Sequence, residues 1–308
     1  MSRPVGSPAP AAAGVTAAVA ATLFWASAAV LGKSIRAPTL VMLTWREVFA
    51  VSALGIFALA TRHRFTAAEL WASAPAAVLF SVHVIIFFAS IQLTSVAIVV
   101  LIYALAPLLI MPLAAWQFGE RPTPLVLLLA LVSVGGIALV VANSDDHGSN
   151  PRLGVLISIV NVMAWVAFTF ASKRVRSRGV ATLTWLVVAN VGALVFTSLG
   201  MVLGGHSLGQ MHSGDWWRVV ALALVPGLVG HALMVWAYRA IDVSLASVIA
   251  IGEPVLGTAG AALFLGESLR PLQVVGVVVV CAAVGVVVLV GSRTRGPSRM
   301  RPEPEISR

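Results

Sequence analysis

The chain has 308 residues, of which 59% are hydrophobic and only 10% charged, with a mean hydropathy of +1.00 and a formal net charge of +9. Soluble domains carry roughly a quarter of their residues as charges, so this composition excludes one. The net charge does not point to nucleic acid, because no aromatic residues interleave the arginines of the C-terminal tail.

Ten apolar runs follow one another, at 14–33, 39–60, 74–92, 95–117, 124–142, 153–172, 182–203, 217–238, 243–265 and 272–291. A helix of about 20 such residues crosses the hydrocarbon of a bilayer. The expected fold is therefore an all-α membrane protein with ten transmembrane helices, joined by links too short for a separate soluble domain. The first run is span-length and leads directly into a second, which marks a retained helix rather than a signal peptide. With the N-terminus inside, fourteen of the twenty Lys and Arg residues fall on the inner side and five on the outer, with Arg46 inside a span. That bias predicts cytoplasmic termini, with residues 1–13 as an N-terminal tail and 292–308 as a basic C-terminal tail. Trp71, Trp116, Trp216 and Trp217 fall near span ends, where an indole prefers to sit. Cys281, the single cysteine, is expected as a small packing residue.

The chain repeats itself. Pro107 leads through an apolar stretch to Gly119-Glu120, and Pro254, 147 residues later, leads to Gly266-Glu267. At an offset of 140, Trp25, Lys33 and Thr44-Trp45 align with Trp165, Lys173 and Thr184-Trp185, and at 148 His83 aligns with His231. The repeats are placed at 14–142 and 153–291. Each holds five spans, an odd number, so the second half should be inverted relative to the first. Each repeated proline is read as a bend at mid-span.

Phe24-Trp25, Arg46, Pro107 with Phe118-Gly119-Glu120, and Glu253-Pro254 with Leu265-Gly266-Glu267 resemble the EamA branch of the drug/metabolite transporter superfamily. The resemblance covers about residues 14–291. Two departures are Ala26-Ser27 after the first-helix tryptophan and Ala106 where the second half has Glu253. The resemblance implies a secondary carrier working by alternating access about a central site, with export of small metabolites such as amino acids or their analogues.

Ionisable groups inside a bilayer cost several kcal/mol and are functional candidates by default. Glu253 shares a helix stripe with Ala246, Ala250, Gly257 and Gly260, so it should face a helix contact or a cavity rather than lipid. His231 stands eleven residues before Asp242 and Glu253 eleven after it, so a hairpin there brings them to one depth. Folding about Leu93 does the same for His83 and Tyr103. These pairs read either as proton-exchanging groups or as hydrogen-bonded struts. Arg46 can bind an anion or snorkel outward. Trp25, Trp165 and Asn161 can line a cavity or simply pack. Glu120 and Glu267 read as solvated charges at span ends near Arg121 and Arg270, and Lys33 and Lys173 as snorkelling or capping groups.

Gly32-Lys33-Ser34 imitates the end of a phosphate-binding loop, but Ser27 stands where that loop needs a glycine. No G-x-S-x-G, H-E-x-x-H or paired-cysteine signature occurs. No ATP, metal or other cofactor is expected. The expected partners are a small-molecule metabolite, the lipid bilayer and protons, without nucleic acid. A membrane enzyme on a lipid-linked substrate and a non-transporting sensor or scaffold are the competing classes, and the sequence assigns no oligomeric state.

Overall fold

A computed structural model of the chain describes residues 11–94, 99, 102–103, 105–120, 122–142, 149–253, 255–257 and 270–291. Among these residues there is no strand. The helices are α1 (Ala11–Ser34), α2 (Thr39–Ala60), α3 (Ala67–Leu93), α4 (Ala106–Phe118), α5 (Pro124–Ala142), α6 (Pro151–Ser177) and α7 (Thr182–Leu203). There follow α8 (Trp216–Leu222), a π-helical segment (Ala223–Gly230), α9 (His231–Ala237), α10 (Val243–Ala250) and α11 (Pro271–Gly291). Seven stretches are long and apolar enough to cross a membrane, alongside three shorter apolar helices at Ala106–Phe118, Pro124–Leu139 and Val243–Gly257. Each apolar run of the sequence overlaps one of these stretches, though three of them are shorter than a full span.

The bundle is apolar on its outside as well as in its core. Ile56, Leu59, Trp116, Leu156, Val202 and Leu289 are exposed, whereas Ser81, Ser90, Ser158 and Asn161 are buried. An apolar belt of this extent needs lipid around it. These three serines are satisfied within their own helices: Ser81, Ser90 and Ser158 donate to the carbonyls of Ala77, Ile86 and Gly154 at 2.7–2.8 Å. Cys281 is exposed on α11 and does not pack inward as expected.

The main helix contacts are preserved when the two halves are exchanged. Under that exchange α1 to α5 correspond to α6, α7, the α8–π–α9 rod, α10 and α11. α3 packs on α6 as α1 packs on the rod, and α3 packs on α7 as α2 packs on the rod. α2 packs on its own counterpart α7, α4 on α10 and α5 on α11. At the last contact Gly136 allows close approach: a Cβ there would lie 2.8 Å from Val280 Cγ2 and 3.0 Å from the Gly276 carbonyl.

Three elements depart from the sequence pattern. α3 starts at Ala67 rather than 74, because Thr66 and Glu69 close a capping box, each side chain meeting the other's backbone N–H. Pro226 sits inside the run at 217–238, and the chain there widens into the π segment, since proline cannot supply the next α-helical hydrogen bond. Pro107 stands in the first turn of α4, which begins at Ala106 after a turn at Leu105, the position where a missing N–H costs nothing. Its helix ends at Gly119, which adopts φ 69° and returns its N–H to Ala114. Pro254, Gly266 and Glu267 lie outside the described residues.

Candidate functional site

A cavity, partly open to the outside, lies between the halves, lined by Trp25, Ala28, Arg46, His83, Val84, Phe87, Phe88, Tyr103, Trp165, Leu222, Pro226, His231 and Glu253. Its mostly apolar lining with a few convergent polar groups is of the kind that small-molecule sites have. Repeat-related residues meet there. Trp25 and Trp165 stand edge to face with centroids 5.6 Å apart, and both His83 and His231 contribute to the wall.

Two hydrogen-bonded clusters hold the imidazoles. His83 Nδ1 lies 2.6 Å from the Tyr103 hydroxyl and 3.0 Å from Asn161 Oδ1, and the Asn161 amide reaches the same hydroxyl at 3.5 Å. The Trp165 ring covers His83 at 4.8 Å between centroids. On the other side Trp25 Nε1 points at His231 Nδ1 from 3.2 Å, while the Pro226 carbonyl lies 3.0 Å from the same nitrogen. These two bonds exclude each other: a bare Nδ1 accepts from the indole, and a protonated one donates to the carbonyl. Gly230 makes the arrangement feasible, since a Cβ there would come within 2.7 Å of Trp25 Cδ1.

Glu253 lines the same cavity as His231, but the expected pair is not a bonded one. His231 is engaged with Trp25 and Pro226, because the π segment brings the carbonyl of Pro226 beneath the imidazole. Glu253 makes no hydrogen bond or ion pair with the described residues.

Arg46 is 3% exposed and does not snorkel. It forms an ion pair with Glu47, which is fully buried and stands next to it in the chain. The sequence reading passed over Glu47. The signal was available, for a carboxylate inside an apolar run is a candidate by the same rule that selected Arg46. The guanidinium rests on the π segment, where a Cβ at Gly227 would lie 3.1 Å from Nη2 and 3.4 Å from Nε.

A second charged cluster lies beyond the cavity and corrects the reading of Glu120 as a solvated charge. Glu120 is 2% exposed. Its Oε1 lies 3.6 Å from Lys173 Nζ, and its Oε2 accepts from the Ser244 N–H and hydroxyl at 3.4 Å. Lys173 also donates to the carbonyls of Tyr238 (2.7 Å) and Ile241 (3.0 Å), capping the chain as it leaves α9. α4 carries Glu120 inward because Gly119 turns the chain back onto α10. Burial pushes the Glu120 carboxyl up to about 7, against the pull of Lys173. Burial likewise raises neighbouring Asp242, again opposed by Lys173. At another edge, the Arg36 N–H donates to Asp215 Oδ2 at 2.9 Å, and Arg218 pairs with Asp215 at 2.8 Å. Among the described residues no group of three or more His, Cys, Asp or Glu side chains could hold a metal ion.

An apolar helical bundle of two similarly packed halves around a shared cavity fits a multi-pass membrane protein of the transporter class. The chain belongs to the EamA-like transporter family, whose model matches it twice, at residues 12–142 and 152–289. It is similar to an uncharacterized transporter of Archaeoglobus fulgidus, 23% identical over 64% of this chain and 69% of that protein. It is also 23% identical to a probable amino-acid metabolite efflux pump of Escherichia coli, over 54% of this chain and 59% of that protein. A solved crystal structure superposes with a TM-score of 0.73 at 23% identity, covering 91% of this chain and 99% of that one, and shares the fold.

Proposed function

We propose that the chain is a secondary carrier that exports small metabolites, amino acids or their analogues, by alternating access. In this reading ten helices cross the membrane as two inverted five-helix repeats, 14–142 and 153–291. The tails at 1–13 and 292–308 lie in the cytoplasm. The cavity binds solute, and rocking of the halves opens it to each side in turn. One observation carries the reading: residues related by the duplication, Trp25 with Trp165 and His83 with His231, converge on a single cavity that also holds Arg46 and Glu253. The charged groups suit the ends of an amino acid and the aromatic wall suits its body. The Escherichia coli relative, by its description, points to the same solute class. Proton coupling belongs to the proposal through His83, His231 and Glu253.

Counterflow of labelled amino acids and analogues by the purified protein in liposomes tests it. Saturable exchange is expected. Covalent conversion of a lipid-linked substrate would instead establish an enzyme, and neither exchange nor conversion would leave a sensor or scaffold.

A further inference from the structure

Arg46 and Glu47 are neighbours on α2, and adjacent helical side chains point about 100° apart rather than at each other. Their ion pair therefore requires the arginine to fold across its own helix. Arg46 lines the cavity and Glu47 does not. Only Nη1 of the guanidinium is hydrogen-bonded among the described residues, and Glu47 is its acceptor. Nε and Nη2 lie over Gly227, whose missing Cβ keeps that edge clear. On the carboxylate, Oε1 meets Arg46 while Oε2 is buried with no hydrogen bond. An ionised oxygen left in that condition is costly, so this pair is only half satisfied.

We infer that Glu47 is a built-in competitor for a solute carboxylate at Arg46, and that it takes up a proton when the solute displaces it. The inference rests on the cavity being the solute site. The charge balance is simple. The empty site holds Arg46⁺ with Glu47⁻; the loaded site holds Arg46⁺ with the solute carboxylate, and Glu47 as the neutral acid. One proton enters with each carboxylate and takes Oε2, which ends the exposure of an unpaired charge to a dry interior. Both states are neutral around Arg46, and a solute anion and its proton travel together.

Most other titratable groups around Arg46 are committed elsewhere, and Glu253 stands across the cavity. α2 packs on α7, the π segment, α8, α3 and the short turn at Leu208–Gln210. α7, the π segment and that turn carry no titratable residue. On α8, Arg218 is committed to Asp215 at 2.8 Å. α3 carries Glu69, spent in its capping box, and His83, held by Tyr103 and Asn161. Across the cavity stand His231, bonded to Trp25 and Pro226, and Glu253.

The test titrates the full-length protein in lipid nanodiscs with 3-phenylpropionate and its uncharged amide, by calorimetry in buffers of differing ionisation enthalpy. The acid is expected to bind with uptake of about one proton, its affinity falling about tenfold per pH unit where Glu47 is ionised, and the amide to bind far more weakly. Glu47→Gln should bind the acid with no proton uptake and a flat pH profile. Equal binding of acid and amide, no proton uptake by the native protein, unchanged uptake in Glu47→Gln, or no binding of either compound each overturns the inference. The native comparison stands even if the variant does not fold. Counterflow of uncharged or cationic solutes alone would sink the Glu47 inference and leave the carrier standing. Acid binding with proton uptake but no counterflow of any solute would do the reverse.

Discussion

Trp25 and Trp165, 140 residues apart in the chain, meet edge to face across the centre of the bundle with ring centroids separated by 5.6 Å. Each occupies the same place in its own repeat, so the contact lies where the two halves close on one another. Replacing either ring by alanine removes one wall of the cavity, and an aromatic contact of this kind contributes ~1 kcal/mol. Trp25→Ala and Trp165→Ala are each expected to weaken solute binding by roughly fivefold, with the Phe variants close to native. Concentration dependence of counterflow reads this out; unaltered half-saturation in both alanine variants would remove the tryptophans from the site.

Gly230 is held free of a side chain by the Trp25 indole. Gly230→Ala should push the ring away from His231 and cost ~1–3 kcal/mol as overpacking. The loss appears as a lower melting temperature in detergent, together with a changed Trp25 fluorescence. A native melting curve would show that the helices separate here without cost.

Asn161 is fully buried and joins His83 to Tyr103. Asn161→Ala strips a partner from both and should destabilise the protein by ~1–3 kcal/mol, the penalty for unpaired buried polar groups. Asn161→Ala in a Tyr103→Phe background should cost less than the two single losses combined, since the groups share one network. Additive losses in the double-mutant cycle would dissolve the network.

The Glu120 cluster carries a pH dependence whose sign is fixed. Folding lifts this carboxyl from its ordinary 4.5 to about 7, so the folded state holds more protons between those values. Stability is therefore full below pH 4.5 and declines as pH rises through about 7. Asp242, raised by the same burial, acts in the same direction. Melting temperature should fall between pH 5 and 8, with a smaller fall in Glu120→Gln; a slope unchanged by that substitution would place the titration elsewhere.

The fold was legible because lipid demands long apolar runs and because duplication leaves paired prolines, tryptophans and histidines at near-constant offsets. Arg46, His83, His231 and Glu253 stood out since an ionisable group inside such a run is costly. Other features depend on packing that no local pattern encodes. Glu120 looked solvated because its burial depends on α10 folding over the end of α4. His231 looked like a partner of Glu253 until Pro226 widened the helix and offered its carbonyl instead. Glu47 was hidden by adjacency, for helical neighbours rarely pair and only the cavity beside Arg46 gives the pair a purpose.

The central claim is that the cavity between the repeats carries solute. Ala28 lines it with a side chain small enough to leave it open. Counterflow by Ala28→Trp, compared with the native protein in the same liposomes, tests that claim most directly. A filled cavity predicts loss of exchange with the melting temperature retained; undiminished exchange with the indole in place would contradict the account.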